Sequence, residues 1–234
     1  MDASNSVWKA LIDIFVAPAQ ALRAVRNQSN WLWAPLILIV ASTLALLWAY
    51  YLNVDMDWLR QHMMSMSQVK LSEAQMEQAA QHMGRTPMLI GASIGSLAPV
   101  IWGLLIALYL HIVDKSTRNR LGSYAAWFAL VLWCSMPQLL TTLGMAINFA
   151  TASAPLGPEQ LSVTNLNALV FHLPLSDSWG KLLNGLDLSL FWSVALMGLG
   201  VAQWTERRYG KALAIAAAPY LVLYGLWALV IAIF

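Results

Sequence analysis

Residues 31–52 read WLWAPLILIVASTLALLWAYYL, a run without one charged side chain. A helix rises about 1.5 Å per residue, so about 20 apolar residues cross a hydrocarbon core of about 30 Å. This run is long enough, and four more qualify: 88–113, 124–149, 186–203 and 212–234. A charge at the centre of a span costs about 2.5–3.5 kcal/mol, whereas each central Leu, Ile, Val or Phe favours insertion by about 0.3–0.6 kcal/mol. No Asp, Glu, Lys or Arg lies well inside any of the five runs. The reading is an all-α polytopic membrane protein with five transmembrane helices.

Composition agrees. Of 234 residues, 59% are hydrophobic and 10% charged, against roughly a quarter charged in soluble domains. The 13 Lys and Arg nearly balance 11 Asp and Glu, which argues against nucleic acid as a partner. Cys134 is the only cysteine, which excludes an internal disulfide and a cysteine-based zinc cluster.

Positive charge orients the chain. Lys9, Arg23 and Arg26 precede the first span, Lys115, Arg118 and Arg120 join the second to the third, and Arg207, Arg208 and Lys211 join the fourth to the fifth. The longer alternate segments carry only Arg60, Lys70, Arg85 and Lys181. The cytoplasmic preference of Lys and Arg therefore puts the N-terminus inside and the C-terminus outside. In that frame Trp31, Trp33, Tyr109, Tyr124, Trp127 and Trp204 mark the inner interface, and Tyr50, Tyr51 and Trp179 the outer one. The first apolar run starts too late and is too long for a signal peptide, so it is expected to stay in place.

The segments outside the spans carry helical patterns. Residues 1–30 form a cytoplasmic N-terminal region: Trp8, Leu11, Ile12 and Phe15 recur at helical spacing and Pro18 opens a second short helix. Interfacial helices fit best, with a docking surface for a partner as the alternative. Residues 31–234 make up the membrane domain, with outer segments at 53–87 and 150–185. In the first, Leu59, Met63 and Met66 share one helix face. A second helix begins at a capping box of Ser72 and Gln75, carries Met76, Ala79, Ala80 and Met83, and stops at Gly84. A helical hairpin between spans one and two follows. The second outer segment holds Pro155, Pro158 and Pro174 and an amphipathic stretch through Leu166, Leu169, Val170 and Phe171, read as surface-lying or re-entrant structure.

Inside the spans, Pro99, Pro137 and Pro219 each remove a backbone donor and bend their helix. Gly91 with Gly95, and Ala214 with Ala218, form small-residue faces for close packing. The ionisable and polar candidates are few. His111 and Asp114, three residues apart, share a face at the inner end of span two and are placed to pair. Asp187 stands at the outer edge of span four, where the helix N-terminus favours a carboxylate. Asn148 and the pair Thr141 and Thr142 complete the set. No His-Glu-x-x-His, Gly-x-Ser-x-Gly or phosphate-binding glycine loop occurs, so neither catalysis nor a cofactor is expected. Seven of the 11 methionines fall between Met56 and Met88, with His62 and His82 among them. Thioether and imidazole suit Cu(I), although methionines at helical spacing more often pack. Arg120-Leu121-Gly122-Ser123 and Arg208-Tyr209-Gly210-Lys211 each precede a proline-bearing span, a similarity that common turn chemistry explains.

Several stretches together resemble the Yip-domain family, the Ypt/Rab-GTPase-interacting membrane proteins, in its bacterial form. They are IDIFVAPAQALRAV and WLWAPL near the N-terminus, TRNRLGSYAAWFALVLWCSMPQLL across span three, LDLSLFWSVALMGLG in span four, ERRYGKALAIAAAPYL leading into span five, and LSEAQMEQAAQHM in the outer segment. The resemblance implies a five-helix membrane protein without known catalysis, with Pro18, Pro137, Asp187, Trp192, Gly210 and Pro219 as characteristic positions. Eukaryotic members are linked to small GTPases and vesicle traffic through a longer N-terminal region. That region's Asp-Leu-x-Gly-Pro type motif does not occur here, so GTPase binding is not implied.

The expectation is a non-enzymatic scaffold or adaptor in a bacterial inner membrane, contacting the bilayer and a protein partner or a second copy of itself. Two other readings stay open. One is permeation of a small solute or lipid through a polar cavity between spans two, three and five. The other is copper handling by the Met/His-rich outer segment.

Overall fold

A computed structural model describes residues 4–66, 84–115 and 122–233. The second helix of the expected outer hairpin, with its Ser72 cap, Met76, His82 and Met83, lies outside the described residues. Helices dominate the rest: α1 Val7–Val16, α2 Pro18–Asn27, α3 Trp33–Asn53, α4 Met56–Met66, α5 Arg85–Gly95, α6 Ala98–Lys115, α7 Tyr124–Cys134, α8 Gln138–Thr151, α9 Ser178–Asn184, α10 Leu188–Thr205 and α11 Tyr209–Ile233. Five helical segments are long and apolar enough to cross a membrane: Ser29–Asn53, Arg85–Lys115, Tyr124–Thr151, Leu188–Thr205 and Tyr209–Ile233. They contain or overlap the five runs read from the sequence, and the chain is an integral membrane protein.

Local chemistry sets the helix ends. The Ser6 hydroxyl accepts the Lys9 amide at the start of α1, and Pro18 occupies the first turn of α2, where its missing donor costs nothing. Asp55 accepts the amides of Asp57 and Trp58 ahead of α4, Ser123 accepts that of Ala126 ahead of α7, and Asp177 accepts that of Trp179 ahead of α9.

The three span prolines behave differently. A proline ring opposes the carbonyl four residues earlier. For Pro99 that residue is Gly95, the last of α5. For Pro137 it is Trp133, one residue before α7 ends, and the Trp133 carbonyl accepts the Met136 amide instead. Tight turns of i to i+3 bonds then carry the chain through Gln138, Leu139 and Leu140. Pro219 breaks nothing, and α11 runs through it without interruption. Ala216, Ala217 and Ala218 precede it, and alanine has the strongest helix propensity.

The described residues form two compact units. The first takes 4–40, 98–115, 122–140 and 188–233; the second takes 41–66, 84–97 and 141–187. In the first unit α6 packs against α7, α10 against α11, and α2 against both α7 and α10. Its core holds Trp127, Trp133 and Trp204, all buried, with Ile14, Leu22, Ile106, Leu110 and Met197. Lipid is as apolar as these side chains, so helix association here rests on packing and hydrogen bonds. Gly198 lets α11 approach: a Cβ there stands 3.0 Å from Leu213 Cα. On α11 the inward small residues are Ala212 and Ala216, while Ala214 is exposed. Beside Gly91 and Gly95 nothing described lies within 4 Å of such a Cβ. The outward side of α11 is apolar, with Leu221, Val222, Leu226, Leu229, Val230 and Ile233 exposed, a surface that only lipid or another apolar partner can cover.

The second unit has a smaller core of Tyr50, Val54, Leu59 and Leu161, with Met63, Met145 and Phe149 against it. Leu59 and Met63 of α4 thus share an inward face. The stretch through Leu169, Val170 and Phe171 is a wide helical turn that leaves these three side chains exposed and ends at His172 in the left-handed conformation, φ 53°.

Candidate functional site

In the second unit, residues 156–161 form a knot gripped from four elements. Tyr50 on α3 donates its phenol to the Leu156 carbonyl at 2.8 Å. Asn148 on α8 donates to the carbonyls of Gln160 and Leu161, at 3.0 and 2.9 Å. The amide of Asn184 on α9 reaches the Glu159 carbonyl at 3.3 Å. From α4, His62 Nε2 lies 2.7 Å from Glu159 Oε1, the imidazole N–H donating to the carboxylate. The His62 ring also stacks on Trp58, one turn earlier, with centroids 4.9 Å apart. A side chain at Gly157 would run into the Glu159 carboxylate and the His62 ring, so their contact as it stands needs a glycine there.

Asp187 anchors the other end of the same segment. It accepts hydroxyls from Thr141 at 2.9 Å, Ser162 at 3.0 Å and Thr164 at 2.6 Å. Asn165, fully buried, makes an isolated antiparallel bridge with Asp187, and its side chain bonds to the Ser162 carbonyl and the Ala168 amide. A carboxylate with three hydroxyl donors keeps its charge satisfied without water. Asn148 and Asp187 are thereby brought into one polar framework.

Beside the knot is a cavity of about 490 Å³ lined by His62, Met66, Glu159, His172 and Asn184, among others. A second, of about 370 Å³, lies between Asn53 and Asp55 on one side and 152–156 on the other. Among the described residues no three His, Cys, Asp or Glu side chains converge as a metal site.

In the first unit, Asp114 at the end of α6 is buried and accepts the Gly122 amide at 3.1 Å and the Trp127 indole N–H at 3.3 Å. Trp127 in turn meets Trp204, with ring centroids 5.2 Å apart. Trp204 donates to the Leu22 carbonyl at 3.1 Å, and Gln203 to that of Ala19 at 3.4 Å. A relay of aromatic and polar contacts therefore ties α6, α7, α10 and α2. His111 stands edge-on to Tyr124 at 6.1 Å, and its Nδ1 is buried without a hydrogen-bond partner among the described residues.

The sequence pointed to Asp187, Asn148, Asp114 and His111, and of partners only to His111 with Asp114; it did not point to Gly122 and Trp127, whose N–H groups donate to Asp114. His62 and Glu159 are 97 residues apart, and no local pattern joins them. The Gly-Pro-Glu-Gln stretch at 157–160, a glycine before a tight acidic turn, was the only available signal.

The family model described as Yip1 domain matches residues 12–230, nearly the whole chain. No curated protein and no solved structure matches it.

Proposed function

Because this chain belongs to the Yip1 domain family, we propose that it is a non-enzymatic membrane scaffold or adaptor that organises lipid or protein partners. The observation that carries this reading is how Asp187, Asn148 and Asp114 are used. Each spends its polar atoms on holding elements together: Asp187 on three hydroxyls, Asn148 on two carbonyls, Asp114 on an amide and an indole. Groups held this way build a rigid platform; they are not poised to accept a substrate's proton. The broad apolar surface of α11 offers lipid, or a second apolar partner, a place to bind.

The same reading puts the N-terminus on the cytoplasmic side of a bacterial inner membrane and the C-terminus outside. The support is the nine of 13 Lys and Arg on that side: Lys9, Arg23, Arg26, Lys115, Arg118, Arg120, Arg207, Arg208 and Lys211. Cross-linking in native membranes tests the scaffold. A reproducible heteromeric or homomeric adduct supports it, and a monomer that resists every cross-linker length contradicts it.

A further inference from the structure

Helix α1 is apolar on both of its faces. Ala10 and Ile14 are buried against the first unit. On the opposite side Trp8, Ile12 and Val16, four residues apart, are 69%, 64% and 73% exposed. Lys9 near the helix start is the one exposed charge on α1. Asp13 is buried and accepts the Ser4 hydroxyl at 2.7 Å. A helix in water does not keep an outward stripe of Trp, Ile and Val.

The stripe is continuous with surfaces that lie in the bilayer. Trp8 packs edge-on against Trp33 at the start of α3, with centroids 6.4 Å apart, and Trp33 and Ile37 beyond it are exposed. Phe15 packs edge-on against Trp192 on α10 at 5.9 Å. Trp192 is 12 residues from Trp204, about 18 Å of helix rise, and helix side chains lean toward the N-terminal end, here away from Thr205. Phe15 therefore lies well below the Thr205 end of that span, at the level of hydrocarbon.

We infer that α1 is sunk in the hydrocarbon from the face at which the Trp33 end of α3 enters, reaching about mid-depth at Phe15, with Trp8, Ile12 and Val16 against acyl chains. The helix enters and leaves on one side, since α2 returns to place Ala19 and Leu22 at Gln203 and Trp204. This deepens the scaffold reading, on which it rests: the N-terminal segment holds lipid and does not present a docking face to a soluble protein.

Spin labels test it. Single cysteines replace Trp8, Ile12 and Val16 in turn (Trp8→Cys, Ile12→Cys, Val16→Cys) in a Cys134→Ala background, in vesicles of phosphatidylcholine and phosphatidylglycerol. Ile37→Cys serves as the lipid-facing reference and Arg26→Cys as the aqueous one. The expected result is that labels at 12 and 16 collide with oxygen as position 37 does, with at least fivefold less collision with a water-soluble nickel chelate than position 26 shows. Nickel access equal to that at position 26 overturns the inference, and so does protection from both colliders, which means a protein covers the face. All three positions are exposed, so a fold defect at one leaves the other two. A captured partner together with a water-facing α1 would overturn this inference alone and leave the scaffold reading standing.

Discussion

The hydroxyl of Thr164 lies 2.6 Å from Asp187 Oδ2, while Thr141 holds Oδ1 of the same carboxylate at 2.9 Å. One side chain thus joins the first turn of α8 to the middle of the outer segment. Asp187→Ala strips the acceptor from three hydroxyls, and each partly buried hydroxyl left unpaired costs up to about 1–3 kcal/mol. Asp187→Ala is expected to lower the unfolding midpoint in detergent, followed by tryptophan fluorescence, by several degrees. Asp187→Asn, which keeps an acceptor, should lose less than half as much.

The knot at 156–161 gives a second expectation. Gly157→Ala places a methyl where Glu159 and His62 meet, so it should destabilise the protein about as much as His62→Ala, about 1.5–3 kcal/mol for a charge-assisted bond. The two changes break one contact. The double variant should therefore be no less stable than the worse single one, and additive losses in the same thermal assay would refute the shared cause.

Helix packing in the first unit predicts an asymmetry between glycines. Gly198→Val forces α10 away from Leu213 on α11, and such overpacking costs about 1–3 kcal/mol. Gly91→Val meets open space among the described residues and should leave the detergent unfolding midpoint within a degree or two.

Glu206, just beyond α10, adopts φ 55° in the left-handed region. A non-glycine residue there costs about 1 kcal/mol. Glu206→Gly should therefore raise the unfolding midpoint slightly, where most substitutions lower it.

The five spans were legible because lipid dictates them: a long apolar run without charge has one stable fate in a bilayer. Local signals were equally readable, as Pro18 at the head of α2 and the inward Leu59 and Met63 of α4 illustrate. Breaks at Pro99 and Pro137 against continuity at Pro219 depend on the residues before each proline, which a bare rule about prolines omits. The close approaches fell on Gly198, Ala212 and Ala216 because helix rotation, not the presence of small residues, chooses the packed face. The knot stayed hidden for a different reason. Tyr50 and Leu156 are 106 residues apart, and a hydrogen bond between distant elements leaves no periodicity in either.

Five crossings of the bilayer would bring the two ends of the chain out on opposite faces. Reporter pairs fused to each terminus in the same cells, one active only in the cytoplasm and one only outside it, measure this directly. A cytoplasmic signal is expected from the N-terminal fusion and an extracytoplasmic signal from the C-terminal one. Both ends reporting the same compartment would contradict five crossings.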